Sequence, residues 1–165
     1  MKGKVIKYNE SNINTDLIIP ARYLVKSDPE FLAEHCMEDL DPEFNQKVKK
    51  LDISIMIGGP NFGSGSSREQ APLAIKTAGI KCVLAPSFAR IFFRNAINIG
   101  LPILEFSDIK DINTGEKLDI DFEGGKVINL TSKKEFKIKE MPPFLQEIIA
   151  SEGLINFARK KVLKN

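Results

Sequence analysis

Two segments concentrate small and polar residues of the kind that bind anions. One is Gly58–Arg68, GGPNFGSGSSR, and the other is Asn12–Tyr23, NINTDLIIPARY. The first follows the β-branched run Ile53–Ile57 and precedes a stretch of helical composition. Ligands of parallel α/β sheets collect beyond the carboxyl ends of the strands, where a helix N-terminus offers backbone N–H groups to carboxylate or phosphate. Gly63 and Gly65 allow backbone conformations and a close approach that other residues resist. The chemistry predicted is an anion site built from backbone, the hydroxyls of Ser66 and Ser67, and the guanidinium of Arg68. It is not a P-loop, because the Gly-Lys-[Ser/Thr] ending is absent. It is not a dinucleotide loop either, since Gly63-Ser64-Gly65 runs into Ser66-Ser67-Arg68. The same residues also admit a simpler reading. Ser66 or Ser67 caps the helix, Glu69 and Gln70 fall in its first turn, and Arg68 lies on the surface.

Metal chemistry is poorly provided for. His35, Cys36 and Cys82 are the entire stock of imidazole and thiol. A zinc site draws four ligands mostly from Cys and His, and an iron–sulfur cluster is held by Cys thiolates. A metal cluster used by this protein is therefore expected on another chain. His35 and Cys36 lie in PEFLAEHCMEDL, outside the polar segments, and read as part of a loop or short helix without chemistry.

The elements that position these residues follow from periodicity. Ile53–Ile57 and Lys81–Ala85 read as buried strands, and Leu101–Phe106 as a third. Between them, Arg68–Ala78 is predicted as a helix closed by Gly79. Phe88–Ile99 is a second, ended by Gly100, with Phe92, Ala96 and Ile99 on one stripe. Strand and helix alternating in this way give parallel neighbours with right-handed crossovers. Beyond residue 106 the pattern changes. Lys117–Phe122, Val127–Leu130 and Glu135–Ile138 predict an antiparallel meander with a turn at Glu123–Lys126. Pro142-Pro143 opens a last helix, interrupted at Gly153 and resumed over Leu154–Leu163. The fold class is α/β, with a mixed, partly parallel sheet in a single domain over 1–165.

NTDLIIPARYL, GGPNFGSGSSREQAP and APSFARIFFRNAINIGLP, in this order and spacing, make the chain similar to 3-isopropylmalate dehydratase small subunits, the swivel-domain branch of the aconitase family. The resemblance covers essentially the whole chain and implies an aconitase-like swivelling β/β/α domain. It implies a hydro-lyase that moves a hydroxyl between neighbouring carbons of a malate-type diacid through an alkene. On the matching positions, Ser66 is the base and Asp16 an active-site aspartate that orients or relays a proton. Ser67 and Arg68 contact substrate, on a backbone shaped by Gly63 and Gly65. A [4Fe–4S] cluster is implied on a separate large subunit, with no cofactor on this chain. The segment Tyr23-Leu24-Val25-Lys26 corresponds to the specificity loop. Val25 beside Leu24 favours an isopropyl side group, whereas Lys26 argues for an extra carboxylate if it is not simply solvated. Arg90 and Arg94 stand four apart in the third block, open to an interface, a diacid or a structural role.

Composition sets the outer limits. The 165 residues carry 24 Lys+Arg against 22 Asp+Glu, a net charge of +2, too balanced to favour nucleic acid or a membrane surface. The N-terminus lacks an apolar core of signal-peptide length, no run approaches the ~18 apolar residues of a membrane span, and the two cysteines form no disulfide framework. A cytoplasmic protein is expected. Besides isopropylmalate chemistry, homoaconitase or a methyl- or dimethylmalate dehydratase of the same architecture fits. From another class, a non-catalytic anion-binding module fits as well.

Overall fold

In the computed structural model, which describes residues 1–163, ISIMI forms a strand over Ile53–Ile57, as its β-branched composition predicts. It is β2 of a seven-stranded sheet. The parallel part comprises β1 (Lys2–Lys7), β2, β3 (Cys82–Ala85) and β4 (Ile103–Glu105). The expected meander supplies β5 (Lys117–Asp121), β6 (Lys126–Asn129) and β7 (Lys134–Lys137), all antiparallel. The spatial order is β4-β3-β2-β1-β5-β6-β7. β1 is thus the central strand where the two halves join. Composition hides it, because three lysines punctuate KGKVIK and only Gly3, Val5 and Ile6 are buried.

Three short helices lie between β1 and β2: α1 (Thr15–Ile18), α2 (Pro29–Glu34) and α3 (Phe44–Leu51). α2 starts where Pro29 occupies the first turn and Asp28 accepts a hydrogen bond from the Glu30 N–H. α4 (Gln70–Thr77) and α5 (Arg90–Asn98) are the crossovers, each beginning two residues later than composition predicts. α6 (Pro143–Ala150) and α7 (Leu154–Val162) close the chain on either side of Gly153.

The sheet separates two apolar layers. Along β3 the alternation is strict: Val83 and Ala85 join the layer under α4 and α5, while Cys82 and Leu84 face the other. On β2 a register shift opposite Lys4 and Val5 breaks the alternation, so Ile53 and Met56 fall on the helical side and Ile55 and Ile57 on the other. Leu118, Ile120 and Val127 of the meander complete that second layer. Among the described residues, no helix is long and apolar enough to cross a membrane.

A polar cluster ties α3 to the end of β1. Asp41 accepts hydrogen bonds from Tyr8 Oη at 2.9 Å and from Lys47 Nζ at 2.8 Å. Burial works against ionisation of Asp41, but the hydrogen bonds from Lys47 and Tyr8 outweigh it and hold the carboxyl below the usual carboxylate range. A carboxyl lowered on folding adds stability above its unfolded value of about 3.9, and that stability is lost as pH falls through the folded value. Lys47→Met is therefore expected to destabilise the chain by about 1 kcal/mol at neutral pH. The difference should shrink when urea unfolding is repeated in acid, as pH falls through the folded value. An equal difference at both pH values would show that lost packing, not charge, is responsible.

Candidate functional site

The two polar segments are stitched together by backbone. Asn12 N donates to Pro60 O, Gly63 N to Ile13 O and Thr15 N to Ser64 O, each at 2.8 Å. Side chains reinforce the seam: Asn61 Nδ2 donates to Asn12 Oδ1, and Thr15 Oγ1 donates to Ser66 O at 2.9 Å. Thr15 is itself buried, so the position of Ser66 is set from beneath. The third block joins through Phe62, whose N–H donates to Ser87 O while its carbonyl accepts from Ala89 N–H. Three stretches distant in sequence thus meet beyond the carboxyl ends of β2 and β3.

Gly63 and Gly65 make the approach possible. Their φ values are +78° and +91°, in the left-handed region that favours glycine. A Cβ at Gly63 would overlap the Phe92 ring of α5, and one at Gly65 would stand 3.3 Å from Thr15 Oγ1. Gly63→Ala is expected to lower stability by roughly 2–4 kcal/mol, from the positive φ and the displaced ring together. Chemical denaturation measures this, and a cost under 1 kcal/mol would mean that the loop is free to move off α5.

Between the loop and α5 lies a cavity of about 210 Å³. Thr15, Gly63 and Gly65 line it with Ser66, Ser67 and Arg68 on one side, and Ala89–Phe92 and Asn95 of the third block form the other. None of these residues is acidic, and two are arginines, so the cavity favours an anion. The Arg68 side chain is 13% exposed; its Nη1 donates to Asp16 Oδ1 at 2.6 Å and to Ile19 O at 3.2 Å. Nη2 and Nε make no hydrogen bond among the described residues. Asp16, more than half exposed, anchors the guanidinium from outside the cavity.

The capping reading of the serines fails. α4 has Glu69 at its N-cap with no side-chain hydrogen bond, and neither Ser66 nor Ser67 bonds to it through its hydroxyl. Both serines are exposed. The helix N-terminus in the cavity wall is that of α5, whose N-cap Ala89 also lacks a side-chain bond. Its first turn therefore adds positive potential, where sequence order alone points to α4.

Other expected residues lie further out. The segment Tyr23–Lys26 does not line the cavity. Val25 is 82% exposed, and Lys26 Nζ sits 4.5 Å above the Phe31 ring. His35 stacks on Tyr23 at 3.6 Å between ring centroids, and its Nδ1 lies 2.7 Å from Glu38 Oε2. Tyr23 Oη donates to the other Glu38 oxygen at 2.8 Å. His35 thus packs the segment, while Cys36 is buried in the core that Tyr23 and Leu24 pack against. Of the two open arginines, Arg90 lines the cavity and Arg94 does not. Thr15 and Asn95 went unnoticed as site residues, although both stand inside the recognisable blocks. Asn95 Nδ2 is buried with no hydrogen-bond partner among the described residues, an arrangement that costs about 1–3 kcal/mol.

The chain's own residues do not fit an iron–sulfur cluster. Burial pushes the thiols of Cys36 and Cys82 well above the usual range, against the thiolate form that ligation needs. Among the described residues there is no group of three or more His, Cys, Asp or Glu placed to hold a metal ion.

Residues 1–109 match the family of the aconitase C-terminal domain. The chain belongs to that family. It is 58% identical to the 3-isopropylmalate dehydratase small subunit of Caldanaerobacter subterraneus, covering 98% of this chain and 99% of the relative. It is 55% identical to the protein of the same name from Ruminiclostridium cellulolyticum, covering 98% of each. Among solved structures, a 3-isopropylmalate dehydratase from Methanocaldococcus jannaschii superposes with a TM-score of 0.90 at 42% identity, covering 98% of this chain and 95% of that one. The family's α/β fold with a mixed sheet is the one described above.

Proposed function

We propose that this chain is the small subunit of a 3-isopropylmalate dehydratase, a hydro-lyase that interconverts 2-isopropylmalate and 3-isopropylmalate in leucine biosynthesis in the cytoplasm. The carrying observation is the acid-free cavity in which Ser66, Ser67 and Arg68 stand together. It occurs on a chain that aligns end to end with small subunits of that name.

In this reading residues 1–165 act as one swivel-type domain. Arg68 takes a substrate carboxylate with the guanidinium face left free by its anchor on Asp16 and Ile19. Ser67 adds a hydrogen bond, and Gly63 and Gly65 keep the backbone close to the diacid. Ser66 removes the C–H proton beside a carboxylate and returns a proton when water adds back across the alkene. A serine serves as base only where its alkoxide is stabilised, and Arg68, Arg90 and the first turn of α5 supply that positive potential. Asp16 orients Arg68 and relays protons to the solvent side.

The cavity is smaller than the ~300–1,000 Å³ of complete small-molecule sites, which supports a partner closing its open side. We assign that role to a large subunit, and to it the [4Fe–4S] cluster, which would supply Lewis acidity toward the leaving hydroxyl. Val25, exposed on the segment Tyr23–Lys26, offers the apolar wall for the isopropyl group once the partner closes. Lys26 Nζ sits over the Phe31 ring and does not line the cavity.

The test combines this chain with the large subunit and follows alkene formation from 2-isopropylmalate, citramalate and homocitrate. Isopropylmalate is expected to turn over fastest, with slower acceptance of the smaller malate. Preference for homocitrate would overturn the substrate, and no turnover of any malate would leave an anion-binding module.

A further inference from the structure

We infer that the chain carries a second anion site, at the end of the sheet opposite the serines, which binds a small molecule bearing two or three linked phosphates. The inference goes beyond the functional reading above and does not rest on it.

The site is a cavity of about 460 Å³, within the ~300–1,000 Å³ range of complete small-molecule sites and more than twice the volume of the Ser66 cavity. It lies where the parallel strands begin. Lys2 and Lys4 come from the first half of β1, and Lys81 immediately precedes β3. Lys117 at the start of β5, and Lys49 and Asp52 at the end of α3, line it as well. All six residues are exposed, so their charged groups are open to a ligand. Five lysines and one aspartate give the cavity a local charge of +4, on a chain whose net charge is only +2.

Strand register supplies an independent observation. Lys2 stands opposite Asp119 across β1 and β5, and the two form an ion pair at 3.7 Å. Two residues further on, Lys4 stands opposite Lys117. Like charges directly opposite in an antiparallel pair destabilise the sheet. No carboxylate relieves them, because Lys4, Lys49, Lys81 and Lys117 form no ion pair among the described residues. Lys49 has a structural reason to be there, in the last turn of α3, where positive charge suits the helix dipole. The strand lysines have no such reason, and an anion between them supplies the missing countercharge. The wall also selects the anion. Carboxylates are matched best by the planar fork of arginine, and no arginine lines this cavity. Ammonium groups act as separate point charges, suited to phosphate oxygens spread along a chain. Two or three linked phosphates carry about three to four negative charges, close to the charge of the wall. Val48, Ile53 and Ala78 add an apolar margin for whatever group the phosphates are attached to.

The test is calorimetric titration of the full chain with tripolyphosphate and with ATP, without divalent cations and at about 0.15 M salt, where exposed charges a Debye length apart are screened. Each probe is expected to bind once per chain and to displace the other. Equal affinities would place recognition in the phosphates alone, and tighter ATP would add the apolar margin; either result supports the site. Lys4→Gln combined with Lys81→Gln is expected to weaken tripolyphosphate about 10-fold, while Lys160→Gln on α7, far from the site in sequence, changes it less than twofold. In the ligand-free chain Lys4→Gln should leave the melting temperature unchanged or raised, because it removes the repulsion from Lys117. A lysine kept for stability would instead lower it. Arg68→Ala should bind tripolyphosphate as wild type does, which separates this site from the Ser66 cavity. The inference is overturned if neither probe binds, or if Lys160→Gln weakens binding as much as the double variant, the mark of diffuse attraction. It is equally overturned if Arg68→Ala abolishes binding, or if a short single-stranded oligonucleotide binds more tightly than either probe.

Discussion

Ser66→Ala gives an assembled enzyme that folds and binds substrate but turns it over about 10²–10⁴-fold more slowly, with KM nearly unchanged. The separation of effects follows from where the serine stands. It is exposed and does not cap α4, so truncation removes no hydrogen bond that holds the helix. The contact that does position residue 66 runs from Thr15 Oγ1 to its main-chain carbonyl and survives the substitution. Stability should therefore stay within about 0.5 kcal/mol of wild type, as for surface changes that break no cap or network. The cavity keeps Arg68, Ser67 and the α5 turn, so the ground-state diacid still binds. What is lost is the hydroxyl proposed above to take the substrate proton. A fall in kcat below about threefold, with KM unchanged, would remove Ser66 from the chemistry.

Arg68→Ala acts mainly on binding. The guanidinium is largely buried, and its Nη1 is committed to Asp16 and Ile19, leaving the other nitrogens for the ligand. Truncating one partner of a desolvated charge pair costs about 2–5 kcal/mol, so kcat/KM is expected to fall by roughly 30- to 4,000-fold. Arg68→Lys should recover little, because a single ammonium cannot hold Asp16 and a carboxylate in two directions at once. Folding suffers less than binding, since Asp16 is more than half exposed and remains solvated when its partner is gone. Steady-state kinetics of the assembled enzyme measure the effect. Full rescue by lysine would mean that charge alone matters and that the anchored fork does not.

The parts of the fold readable in the sequence are those written in local pattern. ISIMI is a strand at the predicted bounds, and the meander and the helix break at Gly153 fall where turn residues put them. β1 and α3 escaped because their apolar residues are few and their lysines many, although β1 sits at the centre of the sheet. Ser66, Ser67 and Arg68 stand out in the sequence and line the cavity, and Asp16 holds Arg68 from outside it, but how these residues come together was not legible. Pairings such as Asn12 to Pro60 and Phe62 to Ser87 join residues far apart in the chain and leave no periodic trace. For the same reason the helix end that faces the cavity was misplaced. Gly65 and the serines precede α4 in sequence, yet Phe92 and Gly63 bring the first turn of α5 into the wall. Asn95 stands inside the third block but carries no further signal, because an asparagine in an amphipathic helix is unremarkable until its place beside the cavity is known.

In the proposed function this chain brings the base to chemistry completed by another subunit. The most direct measurement is a competition. Limiting large subunit is mixed with wild-type chain and increasing amounts of Ser66→Ala chain, and alkene formation from 2-isopropylmalate is recorded. Activity is expected to fall in proportion to the fraction of variant, toward the residual rate of the variant complex, because both chains assemble equally and only one carries the base. Activity unchanged at large excess of the variant, or a variant complex as fast as wild type, would contradict it.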